Sequence, residues 1–180
     1  MRIFLIGFMS SGKSTIGKQL SRKMNLDFID IDEAFESKYK MTITNFFDLF
    51  GEAKFRELEQ KILIESCLRD DVVISTGGGT PCFYNNMQFI NSQGISVYLK
   101  LHPNSIIDRL LHTKKQRPLL KNLSPEELNA YVTTQLNKRE FFYQQARFTY
   151  AIENKKPNEL YTLLKQSFKE NGLIFPSVQL

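Results

Sequence analysis

Two cysteines among 180 residues, Cys67 and Cys82, are too few for a disulfide framework and lack metal-ligand spacing. A stapled secreted scaffold is thereby excluded, and both read as reduced thiols without assigned chemistry. Long apolar runs are missing too. The first, Ile3-Phe4-Leu5-Ile6, stops at Gly7, far short of a signal-peptide core, and nothing approaches the ~18 apolar residues of a membrane span. A soluble, cytoplasmic protein with no membrane partner is expected. No internal repeat and no linker rich in Pro, Gly or Ser divides the chain, so one domain is expected, large enough to bury roughly 70% of its unfolded surface. Basic runs and aromatic-basic ribbons are also absent. The 24 Lys and Arg outnumber the 19 Asp and Glu, for a net charge of +5, but they are scattered. The charge alone does not separate nucleic acid from a basic cleft for a small anion; the missing basic run argues against nucleic acid. His102 and His112 are assigned no role.

What is present is an alternation of strands and helices. Arg2 to Ile6, Asp27 to Ile31, Val72 to Thr76, Ile95 to Leu101 and Phe148 to Glu153 read as strands separated by segments of helical period. That pattern predicts an α/β fold with a parallel sheet covered on both faces. Glu52 to Leu68 and Pro125 to Arg147 read as amphipathic helices, the second opened by Ser124-Pro125, and a C-terminal helix is expected from Pro157 or Asn158 to about Glu170. A basic segment, His112-Thr113-Lys114-Lys115-Gln116-Arg117-Pro118, is a candidate lid.

The most specific motif is Gly7-Phe8-Met9-Ser10-Ser11-Gly12-Lys13-Ser14-Thr15, between a strand and a helix. Backbone N–H groups of such a loop converge with the helix N-terminus on a phosphate, Lys13 reaches the β- and γ-phosphates, and the Ser14 hydroxyl ligates Mg²⁺. Four further clusters bear on the second substrate. Alternation along Ile29-Asp30-Ile31-Asp32 places both carboxylates on one side of a strand end, one for the metal and the other for a substrate hydroxyl. Arg56 and Glu59, three apart on a helix, can pair, which taken alone is a surface ion pair. Gly77-Gly78-Gly79 after a strand allows the backbone to approach a ligand closely. Arg109, Arg117 and Arg139 suit carboxylate or transferring phosphate.

From Arg2 to about Glu170 the chain resembles the shikimate kinases, phosphate-loop enzymes akin to the nucleoside monophosphate kinases. The resemblance rests on the order and spacing of the loop Gly7 to Thr15, Asp30-Ile31-Asp32, Phe55-Arg56-Glu57-Leu58-Glu59, Gly77-Gly78-Gly79, Arg117-Pro118-Leu119-Leu120, and Arg139 followed by Tyr143 and Ala146. It implies a five-stranded parallel sheet of order 2-3-1-4-5 with helices on both faces, a single domain over 1–172 with a lid at about 112–124, and a tail at 173–180. It implies a monomer that moves the ATP γ-phosphoryl to the 3-hydroxyl of shikimate, with Mg²⁺. By the same resemblance, Lys13 and Arg117 stabilise the transferring group and Asp32 holds the acceptor hydroxyls. Ser14 binds the metal, with Asp30 near it through water. Gly7, Ser10, Ser11, Gly12, Lys13, Ser14 and Thr15 cradle the phosphates, while Arg109 and Pro157 flank adenine. Arg56 and Arg139 clamp the carboxylate beside Gly77, Gly78 and Gly79; Glu59 orients Arg56, and Phe47 and Phe55 form an aromatic wall. Ser10 departs from the family pattern, which has glycine there. Gluconate kinase, nucleotide kinases and a non-catalytic nucleotide-binding module are the rivals; the Arg56 and Arg139 pair with Asp32 favours a compact carboxylated polyol.

Overall fold

The computed structural model describes residues 1–112, 123–153 and 157–175. Arg117 and most of the expected lid, together with residues 176–180, lie outside them, and so does the side chain of Pro157. Five parallel strands form one sheet: β1 (Arg2–Ile6), β2 (Asp27–Asp30), β3 (Val72–Ser75), β4 (Ile95–Lys100) and β5 (Phe148–Ala151), in the expected order β2-β3-β1-β4-β5. Ile3 to Ile6, Val72 to Ile74 and Val97 to Leu99 are buried, the near-continuous apolar runs a sheet covered on both faces requires. Register is simple: Phe4 pairs with Ile74 on one side and Ser96 on the other.

The helices are α1 (Lys13–Met24), α2 (Ile31–Tyr39), α3 (Ile43–Ser66), α4 (Asn86–Gln93), α5 (Pro103–His112), α6 (Pro125–Tyr143) and α7 (Pro157–Glu170). Their ends follow local chemistry. Ser124 and Glu127 form a reciprocal capping box around Pro125 at the start of α6. Gly51, at φ 75° and ψ 167°, breaks α3 into two segments, so the helix read from Glu52 is the second half of a longer, kinked one. Gly17 lets α1 settle on β2, since a Cβ there would stand 2.5 Å from the Phe28 ring. The described start of the expected tail is packed: Phe175 meets Tyr161 and Phe168 edge-on, with centroids 5.3 and 5.1 Å away.

Most strands and α6 end one to four residues earlier than the sequence reading has them, and one such boundary bears on the site. The second strand ends at Asp30, whose carboxylate Oδ1 accepts from the N–H groups of Asp32 and Glu33 and so starts α2. Asp32 therefore sits in the first turn of a helix rather than on a strand, and alternation does not govern its direction. β1 lies between β3 and β4, so the loop after it opens at the carboxyl edge where the sheet's winding reverses, the usual crevice of such sheets.

Candidate active site

The loop after β1 owes its shape to residues that tolerate unusual torsions. Gly7 (φ 148°) has the Leu99 carbonyl 2.8 Å from where a Cβ would be, and Gly12 caps α1 at φ 87°. Ser10 has φ 60°, the left-handed region that glycine adopts most readily. Lys13 is buried, its Nζ donating to the carbonyls of Gly7 and Phe8 at 2.9 Å each. Ser11 Oγ is the buried side-chain polar atom without a hydrogen-bond partner among the described residues. Arg109 donates to the Ser10 carbonyl at 3.3 Å and so lies over the loop.

Ser14 Oγ donates to Asp30 Oδ2 at 2.5 Å. A hydroxyl beside a carboxylate is a hard-oxygen donor set, and among the described residues no group of three or more His, Cys, Asp or Glu is placed to hold a metal. The hydroxyl–carboxylate pair itself suits a cation that takes one or two protein oxygens and completes its shell from phosphates and water, which is the habit of Mg²⁺.

From this loop a cleft of about 900 Å³ runs over the ends of β2 and β3 to α3 and α6. Lys13, Ser14, Asp30, Asp32, Arg56, Glu59, Arg109, Arg139 and all three glycines at 77–79 line it, as do Phe47 and Phe55. The structure thus brings into one cleft every described residue to which the resemblance gives a site role, apart from Gly7 and Ser11, which shape the loop from beneath, and Pro157.

The Arg56–Glu59 pair is not the surface contact its spacing alone suggests. Glu59 is 1% exposed; its Oε2 accepts from Arg56 Nη1 at 2.8 Å and its Oε1 from the Thr80 hydroxyl at 2.6 Å. Glu52 accepts from Arg56 Nε and Nη2 at 3.1 and 2.9 Å. Burial works against the Arg56 charge, but Glu59 and then Glu52 outweigh it and raise the guanidinium above its ordinary range. Its planar face meets the rings of Phe83, Phe55 and Phe47, with centroids 4.6, 5.0 and 5.9 Å from Cζ. Arg139 comes from α6, donating to Gln135 at 3.2 Å with its Cζ 5.4 Å from the Phe8 ring centroid.

The glycines are explained by the same packing. A Cβ on Gly77 would stand 2.6 Å from Glu59 and 2.9 Å from Asp32, and one on Gly79 would stand 2.6 Å from the Arg56 guanidinium. A Cβ on Gly78 would lie 3.5 Å from Arg139 Nη1. Consecutive glycines therefore abut the two guanidinium groups. Cys82, between them, has its thiol pushed up to about 11 by burial, against the opposing pull of Arg139 and Arg56.

Glu52, Thr80, Phe83 and Tyr143 were not singled out for roles in the site. Glu52 carried a signal, its four-residue spacing to Arg56. Tyr143 carried one too, as the motif residue four after Arg139, while Thr80 and Phe83 meet the site only through the tertiary fold.

A phosphate cradle with a hydroxyl–carboxylate pair at its mouth, opening on a cleft whose far wall is arginine, defines a phosphate-loop kinase of the small-molecule type. The shikimate kinase family model matches residues 9–169, and the chain belongs to that family. It is 49% identical to the shikimate kinase of Azobacteroides pseudotrichonymphae over 160 residues, covering 88% of this chain and 94% of that one. The crystal structure of shikimate kinase from Bacteroides thetaiotaomicron superposes with a TM-score of 0.89 at 40% identity, covering 94% of this chain and 98% of that one. Shikimate kinase from Acinetobacter baumannii, solved in complex with shikimate, gives a TM-score of 0.85 at 31% identity, covering 96% and 95%.

Proposed function

We propose that this protein transfers the γ-phosphoryl group of ATP to the 3-hydroxyl of shikimate, yielding shikimate 3-phosphate and ADP on the way to chorismate and the aromatic amino acids. The observation that carries the reading is the seating of Arg56 and Arg139 against consecutive glycines in the same cleft as Lys13 and Ser14. Two planar cations on one wall suit a carboxylate, and an acid near them suits a polyol.

Lys13 would leave the Gly7 and Phe8 carbonyls for the β- and γ-phosphates, whose other contacts are the loop N–H groups. Ser14 and Asp30 would hold Mg²⁺, which when bound neutralises phosphate charge. Asp32 would orient the acceptor hydroxyl and receive its proton as the oxygen bonds to the γ-phosphorus and ADP departs. Arg56 and Arg139 would clamp the carboxylate, with Glu59 and Glu52 holding Arg56 in place. Arg117, outside the described residues, would stabilise the transferring group, and Arg109 with the segment at Pro157 would flank adenine. We place the protein as one domain over 1–172 with a lid at about 112–124, acting as a monomer in the cytoplasm, where ATP and reduced thiols coexist. Among the described residues no helix is long and apolar enough to cross a membrane.

ADP release measured with shikimate, gluconate and nucleoside monophosphates as separate acceptors tests the reading. Acceleration by shikimate alone is expected; acceleration by gluconate or a nucleotide in its place would refute it.

A further inference from the structure

Three carbonyls follow β3 in the glycine segment, and two are tied locally: Gly77 accepts from the Thr80 N–H at 3.2 Å and Gly79 from the Cys82 N–H at 2.9 Å. The Gly78 carbonyl instead accepts from the hydroxyl of Tyr143, on α6. Both Gly–Gly peptides lack a Cβ on either side to resist rotation, but the Gly77 carbonyl is tied locally, so the Gly78–Gly79 peptide is the one held from outside the segment. Tyr143 is suited to hold it. It is fully buried, its ring packs against Tyr98 with centroids 5.1 Å apart, and burial holds its phenol well above the ordinary tyrosine range, so it stays a donor. It also follows Arg139 by one helical turn, and Arg139 Nη1 borders the same Gly78.

We infer that Tyr143 is a positioning residue for the acceptor: by fixing the Gly78 carbonyl toward α6 it turns the Gly79 N–H the opposite way, toward the substrate carboxylate, and sets the approach of Arg139. The geometry follows from the trans peptide, whose C=O and N–H point in opposite directions. This inference rests on the reading of the cleft as the shikimate site.

Steady-state kinetics of the full chain, with shikimate and ATP varied separately, test it. Tyr143→Phe removes only the hydroxyl and is expected to raise the KM for shikimate about tenfold, a hydrogen bond's worth, while the KM for ATP stays within about twofold. Tyr150→Phe makes the same chemical change where the hydroxyl donates to Ser167 at 2.6 Å, and is expected to move neither constant. Placing 4-aminophenylalanine at 143 keeps a donor on the ring and is expected to restore the shikimate KM. Unchanged shikimate KM in Tyr143→Phe, or an equal rise in both KM values, overturns the inference. Should that variant not fold, amide NMR of the unsubstituted chain decides: shikimate should shift the Gly79 resonance, and no shift overturns the inference. An unsubstituted chain that neither binds nor phosphorylates shikimate overturns the functional reading as well, whereas normal turnover with an insensitive Tyr143→Phe overturns Tyr143's part alone.

Discussion

Arg56 and Arg139 share a proposed ligand group but not a structural setting, so removing each should leave a different signature. In Arg56→Ala, Glu59, 1% exposed, loses its 2.8 Å partner and keeps only the Thr80 hydroxyl. Stranding one member of a buried pair costs about 3–5 kcal/mol; the Thr80 bond and the relief of Arg56's own burial put this case near the lower end, about 3 kcal/mol. For a chain of this size, at about 2–4 °C per kcal/mol, Tm should fall by about 6–12 °C. Arg139 is only half-buried and bonds a neutral glutamine, so Arg139→Ala strands no charge and should cost less than about 1 kcal/mol, or at most about 4 °C. Shikimate affinity should fall by roughly ten- to a hundredfold in both, the loss of a charge-assisted bond of about 1.5–3 kcal/mol. The affinity for a non-hydrolysable ATP analogue should change little. Arg56→Lys should rescue poorly, because an ammonium cannot serve Glu59, Glu52 and a carboxylate at once with a planar fork. Thermal melts, followed by calorimetric titrations well below the lower Tm, read both quantities. Equal Tm losses would refute the buried-pair argument, and unchanged shikimate affinity in both variants would refute the carboxylate clamp.

Lys13→Met should abolish turnover while the chain keeps its far-ultraviolet dichroism, because Nζ is tied to the Gly7 and Phe8 carbonyls of the loop and the change leaves the apolar core untouched; near-normal ADP release would contradict it. Ser10→Gly should change stability by less than about 1 kcal/mol, since relief of the left-handed serine offsets the added freedom of the unfolded chain, and should leave the KM for ATP within about threefold. Cys82, shifted from 9.0 to about 11, should alkylate with iodoacetamide at pH 8 roughly a hundredfold more slowly in the native chain than in urea, and mass mapping of the adduct checks this. Cys82 ionises more readily when unfolded, as do Tyr98, Tyr143 and Tyr150, whose phenols burial also raises. Their contribution to stability is complete below the unfolded pKa values and lost as pH climbs through the folded ones. Melts should therefore show Tm declining above about pH 9, and a flat profile to pH 11 would refute this.

The parts of the site legible in the sequence are those whose demands are local. A strand, a Gly-framed loop and a helix specify their own geometry within fifteen residues, whereas the torsion at the departure, Ser10, is read only from the structure, at φ 60°. Asp32 reaches the cleft by a route that alternation does not describe: the Asp30 carboxylate captures two N–H groups, so the strand gives way to a helix one residue earlier than hydrophobic pattern suggests. Spacing on a helix shows that Arg56 and Glu59 can meet, yet it is silent on burial. That depends on Thr80 and Phe83 arriving from beyond β3, and Tyr143 reaches Gly78 from α6 in the same way. Those contacts are products of the crossover connections, which no local period encodes.

The same capping contact bears on the two acids, whose roles strand alternation alone leaves open and the family resemblance assigns to metal and acceptor. Asp30 has both oxygens engaged within the protein, Oδ1 on the first turn of α2 and Oδ2 on the Ser14 hydroxyl. Asp30 is therefore suited to joining the loop helix to the helix that carries Asp32. Asp32 stands two residues further on, with Oδ1 2.9 Å from where a Gly77 Cβ would be, on the acceptor side of the cleft and beside the glycines that abut both arginines. A substrate hydroxyl held by the proposed carboxylate clamp at Arg56 and Arg139 would lie within that neighbourhood, and Asp32 would be the carboxylate to face it. On the proposed reading, the order of the two acids along the chain would become an order across the cleft, metal and phosphate at Asp30 and acceptor at Asp32, with the N-terminus of α2 fixing the step between them.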